Sequence, residues 1–277
     1  MMREVAVGVL ALAVFEIVPL GRRVLGPDGQ RSGAHRLAAC SFVIALSVRP
    51  GIIAGVLTLP WFLVCAQYAM ERGARLLRTT HDLRLDTLAE TATASFLAVG
   101  AGAGCVAATG WRPFGFAPII VLLTVVHFHF AGFAFGAIVV RLRRELMNSW
   151  TAVVAVGWMV GVPLVAVGIT TRSDIEPIGA VMLATSGGLL GLLVVGRSMR
   201  HRSGWLAISG VSLCFAMVLA AGYALAQQFG FRWLDIEMME RIHGIANAFG
   251  FALCGLMGWS RIDRSLLRKD QSLCFSP

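Results

Sequence analysis

The sequence predicts an all-α polytopic bundle of about nine transmembrane helices, N-terminus outside and C-terminus inside, on three observations. Of its 277 residues, 57% are hydrophobic and only 14% charged, with a mean hydropathy of +0.76, beyond what a soluble domain shows. Apolar runs fall at 4–20, 35–48, 51–70, 87–109, 117–140, 149–170, 177–196, 204–226 and 241–259, most of them near the roughly 20 residues that cross a hydrocarbon core. With nine spans and the N-terminus outside, the inner loops and tail hold 18 of the 24 basic residues, the bias expected of cytoplasmic loops.

The first run carries Glu16 and lacks both a basic n-region beyond Arg3 and a small-x-small cleavage site, so it reads as a retained helix. The second is the weakest: only 12 residues, 37–48, precede Arg49 and Pro50, and an eight-span count follows if it is half of a hairpin with the third. The fifth, 117–140, is 24 residues without a formal charge and holds His127 and His129 at its middle. Residues two apart on a helix point about 200° from each other, so the two imidazoles need separate partners. His129 lies above Gly132 and Gly136, a small-xxx-small ridge that admits a neighbouring helix, while His127 shares a face with Thr124 and Ala131. Phe128, Phe130, Phe133 and Phe135 fill the gaps. The stretch 227–240 mixes Phe229, Phe231 and Trp233 with Asp235, Glu237 and Glu240, as an interfacial segment would. No loop exceeds about 15 residues, too short for a second core, so 1–277 reads as one integral membrane domain ending in a basic cytoplasmic tail, 260–277.

Several classes are disfavoured. The net charge of +9 is accounted for by short basic loops, so a nucleic-acid partner is not expected. The six cysteines show no CxxC or zinc spacing and read as reduced packing residues. No HExxH-type spacing occurs and the two central histidines diverge, so neither metal nor cofactor is expected. Trp111, Trp205, Trp233 and Trp259 fall at span ends and read as interfacial belt residues.

Polar groups at depth sort into two layers. Glu16, Gln67 and Glu90 each lie about one turn inside the cytoplasmic ends of their helices. His127 lies in the outer half, with His243 and Asn247 at i, i+4 on the last helix and Glu240 one turn earlier. A carboxylate in hydrocarbon costs at least about 2.5–3.5 kcal/mol, so these groups face partners or a cavity, or stay protonated. The bland reading pairs Glu16 with Arg22 or Arg23 and Glu90 with Arg84, and makes the histidines interhelical glue of about 0.6 kcal/mol each.

The stretches EIVPLG (16–21), VHFHFAGF (126–133) and HGIANAFGF (243–251) resemble the YndJ-like family of bacterial integral membrane proteins. The resemblance implies the fold and a bacterial cytoplasmic membrane, and points at Glu16, His127, His129, His243 and Asn247; it implies no particular activity. The architecture, with isolated intramembrane carboxylates, is also similar to membrane-embedded terpene cyclases, without a shared motif. Three functions follow as expectations. One is a proton-initiated cyclase of a lipid-soluble isoprenoid, with Glu16 or Glu90 as the acid and His127, His243 or Asn247 orienting it or taking the final proton. Gln67, Phe128, His129, Phe130, Phe133, Asp235 and Glu240 would line its pocket, the aromatic faces stabilising carbocations. The alternative is a transporter or proton-coupled carrier of a small hydrophobic molecule, using the same groups as a relay; against it, the sequence shows no internal repeat and no pair of Gly/Pro-broken helices at matching positions. The third is a non-catalytic assembly protein. The bilayer is the one certain partner, and oligomeric state stays open.

Overall fold

The computed structural model describes residues 2–26, 33–78, 84–171 and 175–274, without the side chains of residue 240 and of 266–274. Nine helices follow one another: α1 (Met2–Leu25), α2 (Gly33–Ser47), α3 (Ile52–Arg78), α4 (Leu85–Thr109), α5 (Pro118–Leu146), α6 (Ser149–Thr171), α7 (Ile175–His201), α8 (Gly204–Phe229) and α9 (Ile236–Ser265). All but α2 are long and apolar enough to cross a bilayer. The helix of α9 runs on through the expected tail to Cys274. Among the described residues no strand occurs, as a hydrocarbon solvent requires of a chain that forms no closed barrel.

Tight turns set the helix ends. Gly110 and Gly230 close α4 and α8 with φ of 78° and 70°, conformations that glycine adopts at little cost. Ser203 and Asp235 cap α8 and α9 by accepting from the backbone N–H groups of Leu206 and Met238.

Successive helices run antiparallel, and α9 returns to pack on α8 and on the second half of α1. The most buried span is α5, 61% of its apolar window against 28–44% for the rest, and it touches α1, α4, α6 and α9. The Gly132/Gly136 ridge does admit its neighbours: a Cβ on Gly132 would lie 2.7 Å from Phe96, and one on Gly136 would strike Thr93 and Trp158.

The short α2 is tied at both ends. Arg3 donates to the carbonyls of Leu46 and Val48 at 3.0 and 2.6 Å, while His35 reaches Val14, midway along α1. It therefore covers only the upper part of the bundle and forms a hairpin with α3, with the Ser41 hydroxyl on the Leu57 carbonyl. This is the arrangement expected if 37–48 is half of a hairpin.

One end of the bundle is rich in arginine. There Arg143 pairs with Asp86 at 2.6 Å, Arg141 with Asp263 at 2.7 Å, and Glu145 with both Arg197 and His201. Trp259 departs from its expected belt position: it is fully buried, under the guanidinium of Arg141 at 4.5 Å. A planar cation on an indole face is a favourable lid, and it removes the ring from lipid. Trp111 and Trp233 do stay exposed near the opposite end.

Candidate functional site

Three helices are interrupted by a wider, π-helical turn: Ala13–Ile17 in α1, Phe128–Ala134 in α5 and Ala246–Leu253 in α9. All three lie between 10 and 17 residues from the arginine-poor ends of their helices, a common depth of about 15–25 Å at 1.5 Å per residue. They pack against one another at the centre of the bundle. π-turns cluster at functional sites because they release backbone groups from the regular ladder.

In each turn one carbonyl accepts from a side chain of a neighbouring helix. His35 on α2 donates to Val14 O at 3.1 Å, Trp158 on α6 to Ala131 O at 2.7 Å, and Ser209 on α8 to Phe251 O at 2.8 Å. Inside a bilayer an unsatisfied carbonyl is costly, so each latch holds its bulge open. In α1 the sequence supplies a further cause: Pro19 lacks the N–H that the Phe15 carbonyl would accept from in a regular helix.

The turns carry half of the predicted site residues, and His127 and His243 lie one and three residues before them. His129 is fully buried and committed at both nitrogens: Nδ1 donates to Val125 O at 2.8 Å and Nε2 accepts from the Trp61 indole at 3.2 Å. The partners fix its tautomer, since an indole can only donate and a carbonyl only accept. His127 faces the other way, as its spacing requires. Its Nε2 is buried with no hydrogen-bond partner among the described residues, and it lies within electrostatic reach of His243 on α9. His243 donates from Nδ1 to Ala216 O on α8 at 3.0 Å, which leaves its Nε2 as an acceptor. One turn on, the Asn247 amide donates to His243 O at 2.9 Å, freeing its own carbonyl oxygen to turn elsewhere. Glu16 is half-buried within the α1 π-turn. Phe128, Phe130 and Phe133 are buried as packing: Phe128 against Phe96, and Phe133 so close to Gly21 that a Cβ there would lie 2.6 Å away.

Other predicted residues lie elsewhere. Glu90 is held by Arg72 and Arg144 at 2.7 and 2.5 Å, not by Arg84, at the arginine-rich end. Gln67 is exposed on α3 and bonds Glu71. Asp235 is an exposed helix cap, and the side chain of Glu240 lies outside the described residues. Spacing reasoning missed the four latching residues His35, Trp61, Trp158 and Ser209. The signal was available in the tryptophans, since 61 and 158 fall inside apolar runs, where a belt residue has no place.

An apolar groove of about 1030 Å³ lies on α6, α7 and α8, with Val156, Val160, Met182, Leu225 and Phe229 among its walls. None of the π-turn residues lines it.

A family described as YndJ-like protein matches residues 8–251, which include the π-turns of α1 and α5 and the first six residues of that of α9. The chain belongs to the YndJ-like family. A Bacillus subtilis (strain 168) protein named "Uncharacterized membrane protein YndJ" is 31% identical over 172 residues, 58% of this chain. The chain spans about 30% of that relative's length. No solved structure matches it. The family and the eight long apolar helices together describe a multi-pass protein of the bacterial cytoplasmic membrane.

Proposed function

We propose that this YndJ-like protein is a proton-coupled carrier of a small hydrophobic molecule, with Glu16, His127, His243 and Asn247 as its proton relay. The observation that carries the reading is the buried Nε2 of His127, without a hydrogen-bond partner among the described residues and within electrostatic reach of His243, in a site built from three interrupted helices at one depth. A neutral imidazole nitrogen without a bond can accept a proton, against the desolvation cost that burial imposes on the charged ring, and ionisable groups inside a membrane commonly mark proton and substrate paths. Many carriers likewise interrupt helices near the midplane, where substrate and coupling ion bind. Counting along the helices, His243, His127, Asn247 and Glu16 descend in steps toward the arginine-rich end, as a relay requires. With the N-terminus outside, that end faces the cytoplasm, and 260–277 forms the tail of a single domain.

The cyclase reading is weaker on geometric grounds. It needs an apolar cavity beside a protonated acid, whereas the large groove has no acid among its lining residues and Glu90 is held by two guanidiniums. The non-catalytic reading gives no reason for a buried imidazole without a partner.

The test is ¹⁵N NMR of histidine-labelled protein in nanodiscs, with each site assigned by single substitution. The relay requires His127 or His243 to change protonation between about pH 5 and 8, and Glu16→Gln to displace that titration. Constant ring shifts at both sites over this range would sink the proposal.

A further inference from the structure

At the arginine-rich end, away from the π-turn site, two buried donors lie side by side with no acceptor. The guanidiniums of Arg22 on α1 and Arg72 on α3 lie over the ring of Tyr68, at 4.7 and 5.2 Å from its centre. Tyr68 is only 3% exposed; its hydroxyl oxygen lies within reach of the Arg72 guanidinium, but its own O–H, like the buried Nε–H of Arg22, has no acceptor among the described residues. Buried polar atoms of this kind call for an explanation, because each loses its water without replacement. The one carboxylate that pairs here, Glu90, spends both oxygens on Arg72 and Arg144. Among the described residues no carboxylate pairs with Arg22, and what the cluster lacks is an acceptor carrying negative charge.

We infer that the Arg22–Tyr68–Arg72 cluster binds a phosphate group. A phosphoryl oxygen accepts from the Arg22 Nε–H and the Tyr68 O–H together, and a guanidinium offers phosphate the bidentate geometry that an ammonium cannot. The depth suits such a ligand. Arg22 is three residues from the end of α1 and Arg72 six from the end of α3, about 5–9 Å inside the helix ends, where lipid phosphates meet basic pockets between helices. The same chemistry comes from a phospholipid headgroup or from free phosphate.

Thermal unfolding and ³¹P line-broadening of the detergent-solubilised full chain, titrated separately with short-chain phosphatidic acid and with inorganic phosphate, separate the two sources. Saturable binding of either probe is expected, with Arg22→Gln weakening it about tenfold or more, the loss of one charge-assisted contact. Tyr68→Phe should weaken it several-fold. Binding of the lipid alone assigns a headgroup site, and binding of both assigns a phosphate site that does not need the tails. Arg22→Lys guards against misfolding: it keeps the charge and loses the Nε donor, so it should lose binding while its unliganded unfolding midpoint stays that of the native chain. If neither probe binds, or if binding is indifferent to all three substitutions, the inference is overturned.

Discussion

The indole nitrogen of Trp158 on α6 donates to the carbonyl oxygen of Ala131 on α5 at 2.7 Å, inside the same π-turn that carries His129. Trp158→Phe keeps the ring against Phe96 and Phe135 but leaves that carbonyl bare. We expect a loss of roughly 1–3 kcal/mol, read as a lower unfolding midpoint in detergent. An unchanged midpoint would mean that the bulge stands without its latch.

The two central histidines should part company. His129→Ala removes a fully buried ring with two hydrogen bonds and should cost about 2–4 kcal/mol. His127→Ala removes a ring without a bond, so stability should fall clearly less while proton handling is lost. Side-by-side melting curves decide, and equal losses would make both residues structural.

Glu90→Gln should destabilise the arginine-rich end, because Arg72 and Arg144 lose their shared counter-charge. Partial exposure moderates the effect to roughly 1–3 kcal/mol. Glu16→Gln should abolish the relay, a loss read in proton handling that the melting curve does not report. If Glu90→Gln instead melted like the native chain, the ion pairs would contribute nothing.

Orientation is open to chemical labelling. On a cysteine-free background, a single cysteine at the exposed Met147, between α5 and α6, should be reached by an impermeant maleimide only from the cytoplasmic side. One at exposed Phe231, between α8 and α9, should react only from outside. Reversed accessibility would invert the bundle, and labelling of both from one side would break the span count.

Much of the fold was legible because a bilayer leaves a chain few options: the nine apolar runs became nine helices, and the uncertain one, 37–48, became the short α2. The site was half legible. Spacing separated His127 from His129 and put His243 and Asn247 on one face, since ideal periodicity still holds approximately across a single widened turn. It could not reveal the widening itself, which depends on Trp158, His35 and Ser209 arriving from other helices. Nor could it find the partners of Glu90, because Arg72 and Arg144 are distant in sequence and meet it only through packing.

Each π-turn also acts as a phase shift. It accommodates one more residue than the α-helical turn it replaces, and so rotates everything that follows by about 100°. In α5 this offset is what lets His127 address α9 while, several turns later, Arg141 meets Asp263 and Arg144 meets Glu90. Removing a single residue from 128–134 would leave hydropathy and length nearly untouched, yet one half of the helix would have to present the wrong side chains to its neighbours. Tolerance to insertion and deletion should therefore fall sharply at three short windows in the middle of the membrane, although nothing in the hydrophobicity of the chain sets them apart.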